Sequence, residues 1–469
     1  MIPIRPTIVL VLAVTASHAL AQQVGTPEPD VRTRVDAFVA VIRDGGPAQY
    51  EAMAQQHFAP PLLARVSAAE RRTMAERIRR DFGAITVTGI RVIDGVATIG
   101  ARGATGLTGS LVLALEPALP FRITSVAVEV GGGDDEHRPA VAIPLTAAMT
   151  ADEMSRTLDA SLQPLVGRDA FAGVVLIARD GVPIVQRTYG IADRERGVAV
   201  TADTRFGLAS IGKLFTKAAI AQLIAAGKVR PTDTVGAILP DYPASPARQA
   251  TVEQLLEHRG GIADFFGPAF AALPKDRFRT NTDYYRFVAA QPVRFAPGER
   301  NEYCNGCYIV LGAIIERVSG MPYETYLARH VFAPAGMTGA AASTLPVANG
   351  YTRRTVGGGP DVPLHSSQSM HGAGGSAAGG GLGTAADLLA FDNALRTGTL
   401  PDGSGPAAIL PGRPVAGGRA RGGIGAAGGA PGTNAALESD DTWTIVVLAN
   451  LDPPAATSVA QGIRRALAK

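Results

Sequence analysis

Residues 205–229 read RFGLASIGKLFTKAAIAQLIAAGKV. Apolar side chains recur at helical spacing after Ile211, so the stretch predicts a strand end, a tight loop and then a long helix. Ser210 stands where that helix would begin, and Lys213 follows three residues later. Residues at that spacing share one helix face, with Cβ atoms roughly 5–6 Å apart. The first turn of a helix also offers unpaired N–H groups and a partial positive charge. A hydroxyl, an amine and free amides at one point are what acyl transfer through a serine requires. A plainer reading stands beside this one: Ser210 as an N-cap and Lys213 as a solvated first-turn residue.

The cation usage sharpens the question. Five of the 44 basic residues are lysines, so arginine is the default cation of this chain. An arginine keeps its proton in a protein, whereas a desolvated lysine can act as a base. Lys213 therefore suits a task that arginine could not perform. Lys217, one turn on, receives no role from this reading.

A second segment, Asn301 to Gly320, reads NEYCNGCYIVLGAIIERVSG. Tyr303 and Asn305 precede an apolar-periodic helix. A tyrosine beside a cationic lysine is a candidate general base, because nearby positive charge favours the phenolate. Asn305 has a donor and an acceptor with which to orient Lys213 or to grip a substrate amide. The bland alternative is a packed tyrosine and a capping asparagine. Cys304 and Cys307 are the two cysteines of the chain. An exported protein can bond them into a small ring, or they stay as two buried thiols. With seven scattered histidines they make no zinc pattern, and no metal or other cofactor is expected.

Length and composition bound the rest. The 469 residues suffice for two or three domains. Residues 1–21 read as a secretory signal peptide: Arg5, an apolar run over 7–16, and Ala19-Leu20-Ala21 before Gln22. That run is shorter than the ~20 residues needed to span a bilayer, and no other run is long enough. The expectation is an exported, periplasmic or secreted protein without stable membrane insertion. Loss of Arg5 takes the formal charge from +3 to +2, with 43 basic against 41 acidic residues. This gives no electrostatic case for nucleic acid.

Helical spacing recurs over residues 31–45, 50–58 and 68–82, the last with Ser67 and Glu70 as a capping box. Strand periodicity follows over 85–92, 96–101, 108–115 and 121–130. Helices and then strands make residues 28–130 a small α+β unit. Residues 131–147, rich in Gly, Pro and charge, read as a linker. A main domain over 148–469 then opens with a helix at 151–165. A hairpin over 171–189 turns at Arg179-Asp180-Gly181, a type I′ signal. Further helices are expected over 251–258, 281–290, 384–395 and 455–468, and a strand over 442–450. The Gly-rich stretch 351–383 carries few signals of order.

Taken in order, these segments resemble the serine β-lactamase and penicillin-binding-protein superfamily, closest to its class C-like esterase and peptidase branch. The resemblance covers residues 151–469. It is carried by FAGVVLIARDG, Ser210-x-x-Lys213, LLEHRGGIADFFG, FAPGERNEYCN, LGAIIERVSGMPYETYL, GGGLGTAADLLAF, GGAPG and IVVLAN. It implies an α/β fold, an antiparallel sheet flanked by helices with a helical lobe. It implies Ser210 as nucleophile, Lys213 as its activating neighbour, Tyr303 as a base that also protonates the leaving group, and Asn305 as a binding residue. Backbone N–H groups of Ser210 and Gly429 would form the oxyanion hole, with Gly428 beside the substrate. The N-terminal unit resembles the cone-shaped, nuclear-transport-factor-2-like domain that precedes some secreted serine hydrolases.

One motif departs from the pattern. Where the superfamily carries Lys-Thr-Gly or His-x-Gly, this chain aligns Ala426-Ala427-Gly428. A backbone oxyanion donor survives that change, but a grip on a substrate carboxylate does not. The expected function is a metal-independent serine hydrolase of an ester or amide, acting on a small molecule or short peptide. The alternatives are a binding protein on a weakened scaffold and a D-Ala peptidase. Arg419 or Arg421 are candidate replacements for the missing charge. His258 is read as structural, because Lys and Tyr already supply the proton chemistry. Oligomeric state is not legible.

Overall fold

The computed structural model describes residues 29–468 except 94–95, 104–107, 117, 131–140, 267, 354–362, 402–406 and 410–422. The signal-peptide stretch, most of the linker, Arg419 and Arg421 lie outside the described residues. The chain divides into two compact units, the smaller within 29–130 and the larger from 141 onward.

The smaller unit begins with helices α1 (Pro29–Asp44), α2 (Pro47–His57), α3 (Pro60–Arg65) and α4 (Ala68–Phe82). Four antiparallel strands follow in sequential order: β1 (Ile85–Ile93), β2 (Val96–Gly103), β3 (Thr108–Leu115) and β4 (Ile123–Val130). The last strand starts two residues later than its periodicity predicts, because Phe121 takes a φ of +53° that no strand allows. Buried Phe38, Tyr50 and Phe58 meet edge to face, and Ile99, Leu111 and Leu113 complete this core.

The larger unit is built on a five-stranded antiparallel sheet. Its strands are β5 (Gly173–Arg179), β6 (Val182–Tyr189), β7 (Gly425–Ala430), β8 (Thr433–Ser439) and β9 (Trp443–Ala449), in the order β7-β8-β9-β5-β6. Asp180 and Gly181 have φ of +52° and +81°, as a type I′ hairpin requires. Strands β5 and β9 are apolar without alternation because both faces are covered. Val174, Leu176, Val446 and Leu448 point into one core, and Val175, Ile177, Ile445 and Val447 into the other.

The second core is closed by α5 (Ala151–Val166) and the C-terminal helix Ala455–Leu467. The first is closed by α6 (Gly212–Ala225), α7 (Asn305–Ser319) and α8 (Ala385–Arg396). Thr150 and Thr384 cap α5 and α8 with complete capping boxes. Gly320, at φ +70°, ends α7. Strand β8 was not legible in the sequence: TNAALES has neither a run nor an alternation to announce it. Among the described residues, no helix is long and apolar enough to cross a membrane.

Candidate active site

Ser210 lies in a single 3-10 turn, Ala209–Ile211, that leads directly into α6. Its side chain does not cap the helix, whose N-cap is Ile211. Lys213 is 6 % exposed, so the solvated-lysine alternative does not describe this helix start. The turn is held by the main chain of Gly379 and Gly380. Gly380 N–H donates to Ala209 O at 3.1 Å, and a Cβ on Gly379 would come within 2.7 Å of that same oxygen. Gly379 and Gly380, in a stretch that carries few signals of order in the sequence, therefore permit a close approach.

The Lys213 amine reaches three oxygens: Asn305 Oδ1 at 2.7 Å, Ser210 Oγ at 3.1 Å and the carbonyl of Ala378. Burial lowers its pKa to about 7, opposed by the negative charge of Asp264. Tyr303 donates to Ser210 Oγ at 2.7 Å. Its ring lies 4.8 Å from the Lys213 nitrogen and is about half exposed, so it forms the solvent-facing wall. Of the sequence-predicted residues, Ser210, Lys213, Tyr303 and Asn305 thus converge on one point.

Helix α7 explains how Tyr303 and Asn305 are aimed. Cys304 is its N-cap, accepting from the Cys307 N–H at 3.0 Å, and Cys304 and Cys307 form a disulfide around Asn305. His258 adds a second restraint. Its Nδ1 accepts the Cys304 N–H at 3.1 Å, and its ring stacks on Tyr303 with centroids 4.8 Å apart. Burial first, and then the positive charge of Lys213, push its pKa down to about 4. A neutral, partly buried imidazole bonded to the backbone fits the structural role expected of it.

Another wall is the free edge of the sheet. Ala430 and Thr433 flank a two-residue turn, and Gly429 opposes Asn434 one step further in. In an antiparallel ladder alternate residues turn their N–H groups away from the partner, so Gly429 presents its amide outward. Gly428 sits against the Ser210 turn: a Cβ there would lie 2.8 Å from Ser210 N and 2.4 Å from Leu208 O. Only glycine fits. Ala426, opposite Leu437, is partly buried against the core. No cation projects from that position.

Two contributors were not found from sequence. Asp264 Oδ2 accepts from Asn305 Nδ2 at 2.8 Å. It lies in the quoted LLEHRGGIADFFG stretch, but a single loop carboxylate has no periodic partner to single it out. Asn434, 1 % exposed, donates to Gly428 O at 2.9 Å and accepts from the Ala456 N–H at 2.7 Å. It ties the edge strand to the C-terminal helix. Among the described residues no cluster of His, Cys, Asp or Glu could hold a metal ion.

The family model described as Beta-lactamase matches residues 158–469. The chain is 31 % identical over 193 residues to the putative penicillin-binding protein PbpX of Bacillus subtilis (strain 168), covering 41 % of this chain and 47 % of that one. It is 30 % identical over 208 residues to esterase EstB of Burkholderia gladioli, covering 41 % and 53 %. The match thus spans about half the length of these relatives. A crystal structure of a penicillin-binding protein from Bacillus halodurans superposes with a TM-score of 0.54 at 25 % identity, covering 64 % of this chain and 98 % of that one.

Proposed function

The chain belongs to the beta-lactamase family of hydrolases, and we propose that it cleaves an ester or amide through an acyl-enzyme on Ser210. The observation that carries this reading is the position of Ser210 Oγ, 2.7 Å from Tyr303 Oη and 3.1 Å from Lys213 Nζ.

A neutral lysine has two N–H donors and one lone pair. The carbonyls of Asn305 and Ala378 take the two donors, which leaves the lone pair facing Ser210. Lys213 accepts the Ser210 proton as Oγ attacks the acyl carbon. The Tyr303 hydroxyl passes its proton to the leaving oxygen or nitrogen as that bond breaks, and recovers one from the Lys213 ammonium. Water then repeats the sequence on the acyl-enzyme. A placed proton acceptor of this kind contributes ~10²–10⁴ in rate. The amides of Ser210 and Gly429 receive the developing oxyanion, each donor contributing ~10²–10³.

The substrate preference follows from Ala426. Without a cation on β7, a carboxylate beside the scissile bond finds no partner there. The favoured substrates are small neutral esters or amides, ahead of β-lactams and D-Ala-D-Ala peptides. Residues 1–21 support export to the periplasm or medium. A second reading, a binding protein on the same scaffold, is also motivated by Ala426. A fluorophosphonate probe separates the two: labelling lost in Ser210→Ala supports the hydrolase, and absence of both labelling and p-nitrophenyl ester hydrolysis supports the binder. Rates on esters of increasing chain length, beside nitrocefin and a D-Ala-D-Ala peptide, test the substrate class.

A further inference from the structure

Asp264 has no part in the proton transfers above, yet it touches the residue that holds the amine. We propose that Asp264 is a positioning residue for the reaction: it fixes the Asn305 amide with its oxygen toward Lys213 and places a carboxylate behind the amine. The inference rests on the hydrolase reading of the same pocket.

The argument is one of donors and acceptors. An ionised carboxylate only accepts, whereas an amide has a donating end and an accepting end. Asp264 Oδ2 takes the Asn305 Nδ2 donor at 2.8 Å, which leaves Oδ1 for Lys213 at 2.7 Å. With the amide reversed, its N–H groups would face the amine N–H groups, and a carboxylate would face the amide oxygen. Asp264 is itself anchored, since its Oδ1 accepts the Phe266 N–H at 3.0 Å. With Asn305 Oδ1 and Ala378 O fixed, the remaining direction on the amine nitrogen is the one toward Ser210.

The charge is the second half of the effect. Among the described residues, the titratable groups around Lys213 are His258, Tyr303, Tyr308 and Asp264, with Lys217 one turn along α6. Burial keeps His258 neutral above about pH 4 and pushes the Tyr308 phenol up. Asp264 is then the negative charge that opposes the desolvation of the amine.

Two substitutions separate orientation from charge. Asp264→Asn keeps an oxygen that can accept from Asn305 but removes the charge. The acid limb of its kcat/KM profile moves to lower pH by roughly one unit, because the amine then deprotonates more easily. Asp264→Ala removes both, and its plateau kcat falls about 10- to 100-fold at every pH, a part of what a placed base supplies. Asp264→Asn recovers part of that loss, and KM changes little in either variant. An unchanged limb in Asp264→Asn, an unchanged plateau in Asp264→Ala, or equal losses in both overturns the proposal. Titration of ¹⁵N-labelled Lys213 by NMR gives a readout free of turnover: the midpoint falls in Asp264→Asn, and an unmoved midpoint rejects the idea. Wild-type protein that neither labels with fluorophosphonate nor hydrolyses esters rejects the hydrolase reading instead, while the NMR midpoint still decides on Asp264.

Discussion

Two of the polar clusters buried in the larger unit treat their cations in opposite ways. Around Arg396, Nε donates to Asp392 Oδ1 at 3.0 Å and to Oδ2 at 2.9 Å, and Nη2 donates to Ser439 Oγ at 2.8 Å. Ser439 and Thr444 donate back to the same carboxylate at 3.1 and 2.8 Å. Ion and counter-ion touch directly, at side-chain exposures of 1 % and 0 %. Around Lys213 the carboxylate stands one residue further away, with the Asn305 amide between them. Direct pairing with a permanently charged guanidinium gives a fixed strut. An amine with its counter-charge held at arm's length can give up a proton near neutral pH. The arginine bias of the chain makes the same division: arginine holds structure, and a rare lysine stands where the proposed reaction moves a proton.

Exchanging the cations tests this contrast most severely. Lys213→Arg should lower kcat/KM by ~10³-fold or more, since a guanidinium cannot accept the serine proton. Ester hydrolysis by folded protein measures it, and retention of a tenth of the activity would break the comparison. Asp392→Ala should do the reverse, costing about 3–5 kcal/mol of stability by leaving Arg396 buried and unpaired. Denaturant unfolding reads that loss, while activity per folded molecule should change little.

The pH dependence is the next largest effect. Lys213 must be neutral to act, so kcat/KM should rise with pH through a midpoint near 7. The same depressed pKa has a stability sign. The unfolded chain binds the Lys213 proton up to about pH 10.5 and the folded chain only to about 7, so stability rises with pH across that window and is lost as pH falls through it. Lys213→Met should flatten the curve and gain most in Tm at acid pH. An equal gain at pH 5 and pH 10 would contradict the burial of a titrating amine. The smallest expected change is a loss of about threefold in kcat on reduction of Cys304–Cys307, as the Tyr303 segment gains rotamer and backbone freedom. Reoxidation should restore it.

The side chains of the candidate site were the legible part of the molecule. Ser210 and Lys213 are three apart on a helix, and Tyr303 and Asn305 stand at the start of another, so local periodicity and family resemblance located all four. The supports were not legible, because their partners are distant in sequence. Asp264 meets Asn305 across 41 residues, and Ala378 meets Lys213 across 165. Glycines carry an ambiguous signal as well. At Gly379, Gly380 and Gly428 they mark close packing of main chain, although the same composition also describes a slack loop. The sheet was foreseen through its apolar strands β5 and β9, whereas β8 and the glycine-rich edge strand lacked the alternation that announces a strand.

That edge strand has a consequence for any attempt to evolve this pocket. The part proposed for it in the reaction belongs to peptide groups, and peptide groups are not rewritten by exchanging one codon. A saturation library across Gly428 should return almost nothing but the parent, for want of room. New selectivity would have to be gathered from the walls made of side chains, with the sheet margin staying constant from one variant to the next.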